Sequence, residues 1–99
     1  MDEQTRVSIE FLREALDVLL RHLEEVQGPE VRLEKEYFWS IPEERLYDVY
    51  TEPSSFSIGQ LTECIANLQG MTADPEGAVS YGLVWIADVL RAVGQTVVR

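Results

Sequence analysis

The sequence predicts a mainly α protein: a small three-helix bundle, with one short helix and an aromatic extended segment inserted between the first and second long helices. Three observations lead there. A stripe of apolar residues repeats with helical spacing near the N-terminus, the C-terminal region is apolar almost all round, and six of the nine aromatic residues crowd into the stretch from Tyr37 to Phe56. With 99 residues, the chain is expected to form a single helical domain over 1–99, long enough to bury one modest core.

The first helix is expected from about Thr5 to Gln27. Ile9, Leu12, Leu16, Leu19, Leu23 and Val26 follow one another at alternating intervals of three and four, which places them on one face. Phe11, Ala15 and Val18 widen that face. On the other side Arg6 with Glu10, Arg13 with Asp17, and Arg21 with Glu25 stand four apart as candidate surface pairs. Gly28 followed by Pro29 ends the helix, because glycine takes the left-handed cap conformation and proline cannot continue the hydrogen-bond ladder.

Between Val31 and Ile41 the period changes to two, with Val31, Leu33, Tyr37, Trp39 and Ile41 alternating with polar residues and only Lys35 and Phe38 breaking the rule. This reads as a strand-like segment. Its nearest partner in sequence is Arg45 to Tyr50, which would give a minor β-hairpin over 31–50. The competing reading of that second segment, a short helix, is preferred, because Ser40, Pro42 and Glu43 resemble a capping box with proline in the first turn.

A second capping box is expected at Ser57 and Gln60, with Phe56 and Leu61 as its hydrophobic staple, opening a helix to about Gln69 that Gly70 closes. Ile58, Leu61, Ile65 and Leu68 form its apolar stripe. The last helix is expected to open at Asp74 and Pro75 and to end at Gly94. Its residues Ala78, Val79, Leu83, Trp85, Ile86, Ala87, Val89, Leu90, Ala92 and Val93 leave only a narrow polar strip of Ser80, Asp88, Arg91 and Gln95, so it should be central. Gly82 in its middle costs about 1 kcal/mol relative to alanine, which points to a close approach by another helix or by the Trp39 region.

The net charge of −10 is concentrated in the first half: residues 1–52 carry 14 acids against 6 bases, whereas residues 53–99 carry 4 against 2. Such a field repels nucleic acid and favours encounter with a basic partner at low salt. One cysteine excludes an intramolecular disulfide. Met1-Asp2-Glu3 begins no export signal, and the uncharged run Gly77 to Ala87 is too short to span a bilayer of about 30 Å, so the expectation is a cytoplasmic protein without membrane contact.

No motif sets a reaction, a cofactor or a metal. Cys64 lies between Leu61 and Leu68 on the apolar side of its helix and is expected to be a small buried residue rather than a nucleophile paired with His22, the sole histidine. His22 flanks the stripe of the first helix as a boundary residue. Glu44, Asp48 and Glu52 would share a face if Pro42 to Glu52 were helical, but carboxylates alone at that spacing are ordinarily a solvated face. Gly77 and Gly82 have phosphate-loop spacing without the Lys-Ser or Lys-Thr that must follow. The aromatic segment is expected either to close one end of the core or to present Tyr37, Trp39, Tyr47, Asp48 and Tyr50 at a binding surface. Stacking of single-stranded nucleic acid fails on charge.

The run from Tyr37 to Pro53, followed by Ser57-Ile58-Gly59-Gln60-Leu61 and by Tyr81 to Gly94, resembles a group of small uncharacterised bacterial proteins with similar segments in the same order. The resemblance covers roughly residues 37–94. It implies a bacterial, cytoplasmic, single-domain protein, and no activity, cofactor or catalytic residue comes with it. The function expected from the residues is a non-enzymatic acidic interaction module that binds a basic protein, in the manner of an immunity protein or antitoxin. The alternative is a small-ligand protein or enzyme with an aromatic pocket around Trp39, Tyr47, Asp48 and Tyr50. A homodimer through the stripe of the first helix is a further expectation.

Overall fold

The structure is a computed structural model that describes residues 5–77 and 79–97. Met1-Asp2-Glu3, read above for an export signal, and Ala78, counted in the apolar set of the last helix, lie outside the described residues, as do the side chains of Val79 and Ser80. The fold is mainly helical with a small two-stranded antiparallel sheet. In chain order it comprises α1 (Ile9–Gln27), β1 (Tyr37–Ser40), α2 (Glu43–Leu46), β2 (Ser57–Gln60), α3 (Leu61–Ala73), a single 3-10 turn (Pro75–Gly77) and α4 (Val79–Val97). The chain divides into two compact units, residues 1–32 and 33–99.

In the first unit α1 starts four residues later than the periodicity suggests, because Ser8 is a better entry point than Thr5. Its hydroxyl oxygen accepts a hydrogen bond from the Phe11 amide at 2.9 Å, satisfying one of the donors that a helix start leaves open. The helix ends at Gly28 as expected, with φ at +90° and its amide donating to the Glu24 carbonyl at 2.8 Å. No residue of α1 is buried. Arg21 pairs with Asp17 at 2.8 Å rather than with the expected Glu25. Helical side chains lean toward the N-terminus, and an acid preceding a base by four residues is the better orientation.

The second unit is organised by the pairing of β1 with β2. Tyr37 faces Gln60, Phe38 faces Gly59, Trp39 faces Ile58 and Ser40 faces Ser57. The strand read at 31–41 therefore exists in its Tyr37–Ser40 portion, but its partner is not Arg45 to Tyr50, which holds the preferred short helix α2 in Glu43–Leu46. Both expected capping boxes are overturned by this pairing. Ser40 and Ser57 are strand residues opposite one another, so neither hydroxyl caps a helix, and α2 opens on Pro42 with no side-chain cap. Phe56 and Leu61, the expected staple, lie on opposite sides of β2 in sequence.

The face of β1 that packs is also the reverse of the one the alternation suggests. Tyr37 and Trp39 are exposed, while Phe38 and Ser40 are half-buried. The reason is Gly59: a Cβ there would occupy the space taken by the Phe38 ring, which lies across the glycine backbone.

The start of α3 is supplied by a residue far away in sequence. The Glu36 carbonyl accepts from the Leu61 amide at 2.8 Å, and the Glu36 carboxylate accepts from both the Thr62 amide, at 3.0 Å, and the Thr62 hydroxyl. Gln60, at the cap position, offers no side-chain bond. One residue thus satisfies two of the open amides of α3 and fastens the first strand to the helix that follows the second.

Leu61 and Cys64 are the buried residues of the core, at 4% and 7% exposure, and Ile65, Leu68 and Met71 are half-buried around them. Cys64 is a small buried residue, as expected. Gly70 does not close α3, which continues to Ala73, where the Asp74 amide donates to the Gly70 and Met71 carbonyls. Ile58, expected in the α3 stripe, belongs to β2 and is exposed. Helix α3 packs on α4. The approach anticipated at Gly82 is made by this neighbouring helix: a Cβ at Gly82 would stand 2.6 Å from the Met71 Sδ. Helix α4 passes through Gly94 to Val97, correcting the expected stop, and Leu83 and Tyr81 remain exposed, so it is not covered all round.

Two outcomes follow. Glu36→Ala should destabilise the second unit by about 0.5–2 kcal/mol, the usual cost of a lost helix cap, and Glu36→Gln by less, measured by denaturant unfolding. Gly82→Leu should cost about 1–3 kcal/mol through overpacking against Met71, and unchanged unfolding of that variant would mean α3 and α4 do not meet there.

Candidate functional site

The second unit carries a groove of about 450 Å³, lined by residues of the hairpin, α3 and α4. Sequence spacing explains the helical walls. Glu63, Cys64 and Asn67 fall within four residues on one side of α3, and Val84, Trp85 and Asp88 do the same on α4, so two packed helices present two rows to a common cleft. The hairpin contributes Tyr37, Phe38 and Ser40 from β1 and the β2 backbone around Gly59. Trp85 is half-buried and stacks on Tyr81, with ring centroids 6.2 Å apart and planes inclined by 25°.

Electrostatically the groove is negative. The Asp88 side chain is only 19% exposed, and burial pushes its pKa above the usual aspartate range, Arg91 pulls it back, and Glu43 on α2 pushes it further up. Its counter-ion is a poor one: Arg91 is 74% exposed and stands 3.6 Å away. The Cys64 thiol is also pushed up, first by burial and then by the charges of Asp88, Glu63 and, more weakly, Glu36, against a smaller backbone hydrogen bond that lowers it. A thiol so placed stays protonated at neutral pH and is a poor nucleophile. His22, the base that nucleophilic catalysis would require, belongs to the first unit and is exposed.

Of the five residues singled out from the sequence, Tyr37 alone lines the groove. Trp39 is 73% exposed, with its ring set edge-on to Phe56 at 6.0 Å. Tyr47 and Tyr50 are 85% and 97% exposed, in the turn after α2. Asp48 is engaged locally: it pairs with Arg45 at 3.5 Å and accepts from the Tyr50 amide at 3.3 Å, an arrangement that shapes the turn. Glu44, Asp48 and Glu52 do not share a helical face, because α2 ends at Leu46. Among the described residues, no group of three or more histidine, cysteine, aspartate or glutamate side chains is placed to hold a metal ion, and no helix is long and apolar enough to cross a membrane.

Asp88, Trp85, Glu63 and Asn67 were not singled out as site residues. The one signal for them was Asp88 itself, the sole acid of α4. The sign of its shift gives a test. A carboxyl whose folded pKa is raised weakens the fold once it ionises, so this penalty is absent below the unfolded value near pH 4 and complete above the folded value. Asp88→Asn should therefore raise the melting temperature at pH 7, with the gain shrinking as the pH is lowered toward 4. A destabilised variant at pH 7 would show that the Arg91 pair outweighs burial. Comparison with protein families, with curated proteins and with solved structures finds no match for this chain.

Proposed function

We propose that this chain is a non-enzymatic, acidic interaction module that binds a basic protein partner, with the aromatic segment from Tyr37 to Tyr50 as its contact surface, in the bacterial cytoplasm. The observation that carries the reading is the exposure of Trp39, Tyr47 and Tyr50. Aromatic side chains ordinarily serve as core, and tryptophan and tyrosine held in solvent are the residue types that carry binding energy at protein contacts. The acids Glu43, Glu44, Asp48 and Glu52 are interleaved with them in sequence, and the chain as a whole carries −10, which would steer a basic partner. The relation would be that of an immunity protein or antitoxin to a basic cognate. The local engagement of Asp48 with Arg45 and the Tyr50 amide weighs against the alternative reading, a small-ligand protein or enzyme with a pocket around Trp39, Tyr47, Asp48 and Tyr50.

The test is recovery of a partner from native-host extract on the immobilised full chain. A basic protein should be retained in stoichiometric amount at low salt and released at high salt, and Trp39→Ala with Tyr50→Ala should weaken retention about tenfold or more. Retention unaffected by salt and by both substitutions would remove the reading.

A further inference from the structure

We infer that the groove between the hairpin and the α3 and α4 faces is a receptor for an arginine side chain of a basic protein partner. The inference rests on the interaction reading above and extends it to a surface that the exposed aromatics do not include.

Three features of the groove match a guanidinium. The first is shape. Tyr37 and Trp85 provide aromatic surface at the groove walls, the small Cys64 lies among its lining residues, and a cleft of about 450 Å³ is ample for one side chain. A planar guanidinium stacks on such rings, whereas an ammonium acts as a compact point charge. The second is charge. Asp88 and Glu63 line the cleft, and Glu36 and Glu43 add to the potential felt by its thiol and carboxylate respectively. The third is the imbalance within the Asp88–Arg91 pair, in which the carboxylate is largely withdrawn from water and its counter-ion is not. At 3.6 Å and with its own head in water, Arg91 is a weak partner for this carboxylate, so an incoming guanidinium can replace it on Asp88 with two parallel hydrogen bonds and better desolvation. Asn67 adds an amide at the same wall. A neutral group offers Asp88 no better ion pair than Arg91 does, and an anion is repelled by Asp88 and Glu63.

The test uses the full chain with Trp39→Phe, which leaves Trp85 as the single tryptophan. Its fluorescence is followed during titration with a short acetylated peptide containing one arginine, and with the same peptide carrying citrulline, which keeps the shape and removes the charge. A saturable change with the arginine peptide is expected, weakened about tenfold or more by citrulline and by Asp88→Asn, with circular dichroism unchanged. Glu63→Gln, a second variant of the same lining, should give a smaller weakening in the same direction. No saturable change, or equal responses to the two peptides, would overturn the inference. The two readings separate in the extract experiment. A partner retained equally well by Asp88→Asn overturns the groove and leaves the aromatic surface standing, while arginine binding at the groove with no partner recovered does the reverse.

Discussion

Glu36 holds the second unit in its shape. A two-stranded sheet is marginal alone in water, and a helix start that lacks a side-chain cap leaves its amides open. Each of these deficiencies is met by the same residue. Its carbonyl and carboxylate engage the first two residues of α3, 26 positions beyond Thr62's partner in sequence at the farther contact. By fixing the chain just before Tyr37 against the chain just after Gln60, this contact sets the register in which Phe38 meets Gly59. Slipping the strands by one residue would carry Phe38 to the solvent face and lose its seat.

The groove is a consequence of that register. Because β2 runs directly into α3, the hairpin is carried beside the α3 row of Glu63, Cys64 and Asn67, and α3 in turn packs on α4. The missing side chain at Gly82 leaves room for the Met71 thioether, which lets those helices pack closely there. What remains is a cleft whose surroundings are rich in acids. The unit tolerates a half-buried carboxylate there although it raises that group's pKa, a local cost of the kind that accompanies binding sites more often than bulk surface.

The aromatic segment divides into two roles. Phe38 packs inward over a glycine, whereas Trp39, Tyr47 and Tyr50 stay in water. The difference is one of strand face and of turn: alternation sends neighbours in β1 to opposite sides, and the Asp48 turn after α2 points the two tyrosines outward with no element to receive them.

The sequence by itself determined what depends on neighbours within a few residues. The apolar repeat of α1, its stop at Gly28 and the apolar side of α3 around Cys64 are all local: a helix brings positions three and four apart together whatever the rest of the chain does. Tertiary structure alone decided the rest. Ser40 and Ser57 carry capping signatures that lost to strand pairing across a gap no local pattern specifies; Glu36 took the place of Ser57 at the start of α3, while α2 opens on Pro42 with no side-chain cap. The five residues chosen from composition were selected for being aromatic or charged. Which of them line a common cleft depended on the register of the hairpin, and that brought Tyr37 into one groove with Trp85, read from its own helix as core, and Asp88, read as part of a polar strip.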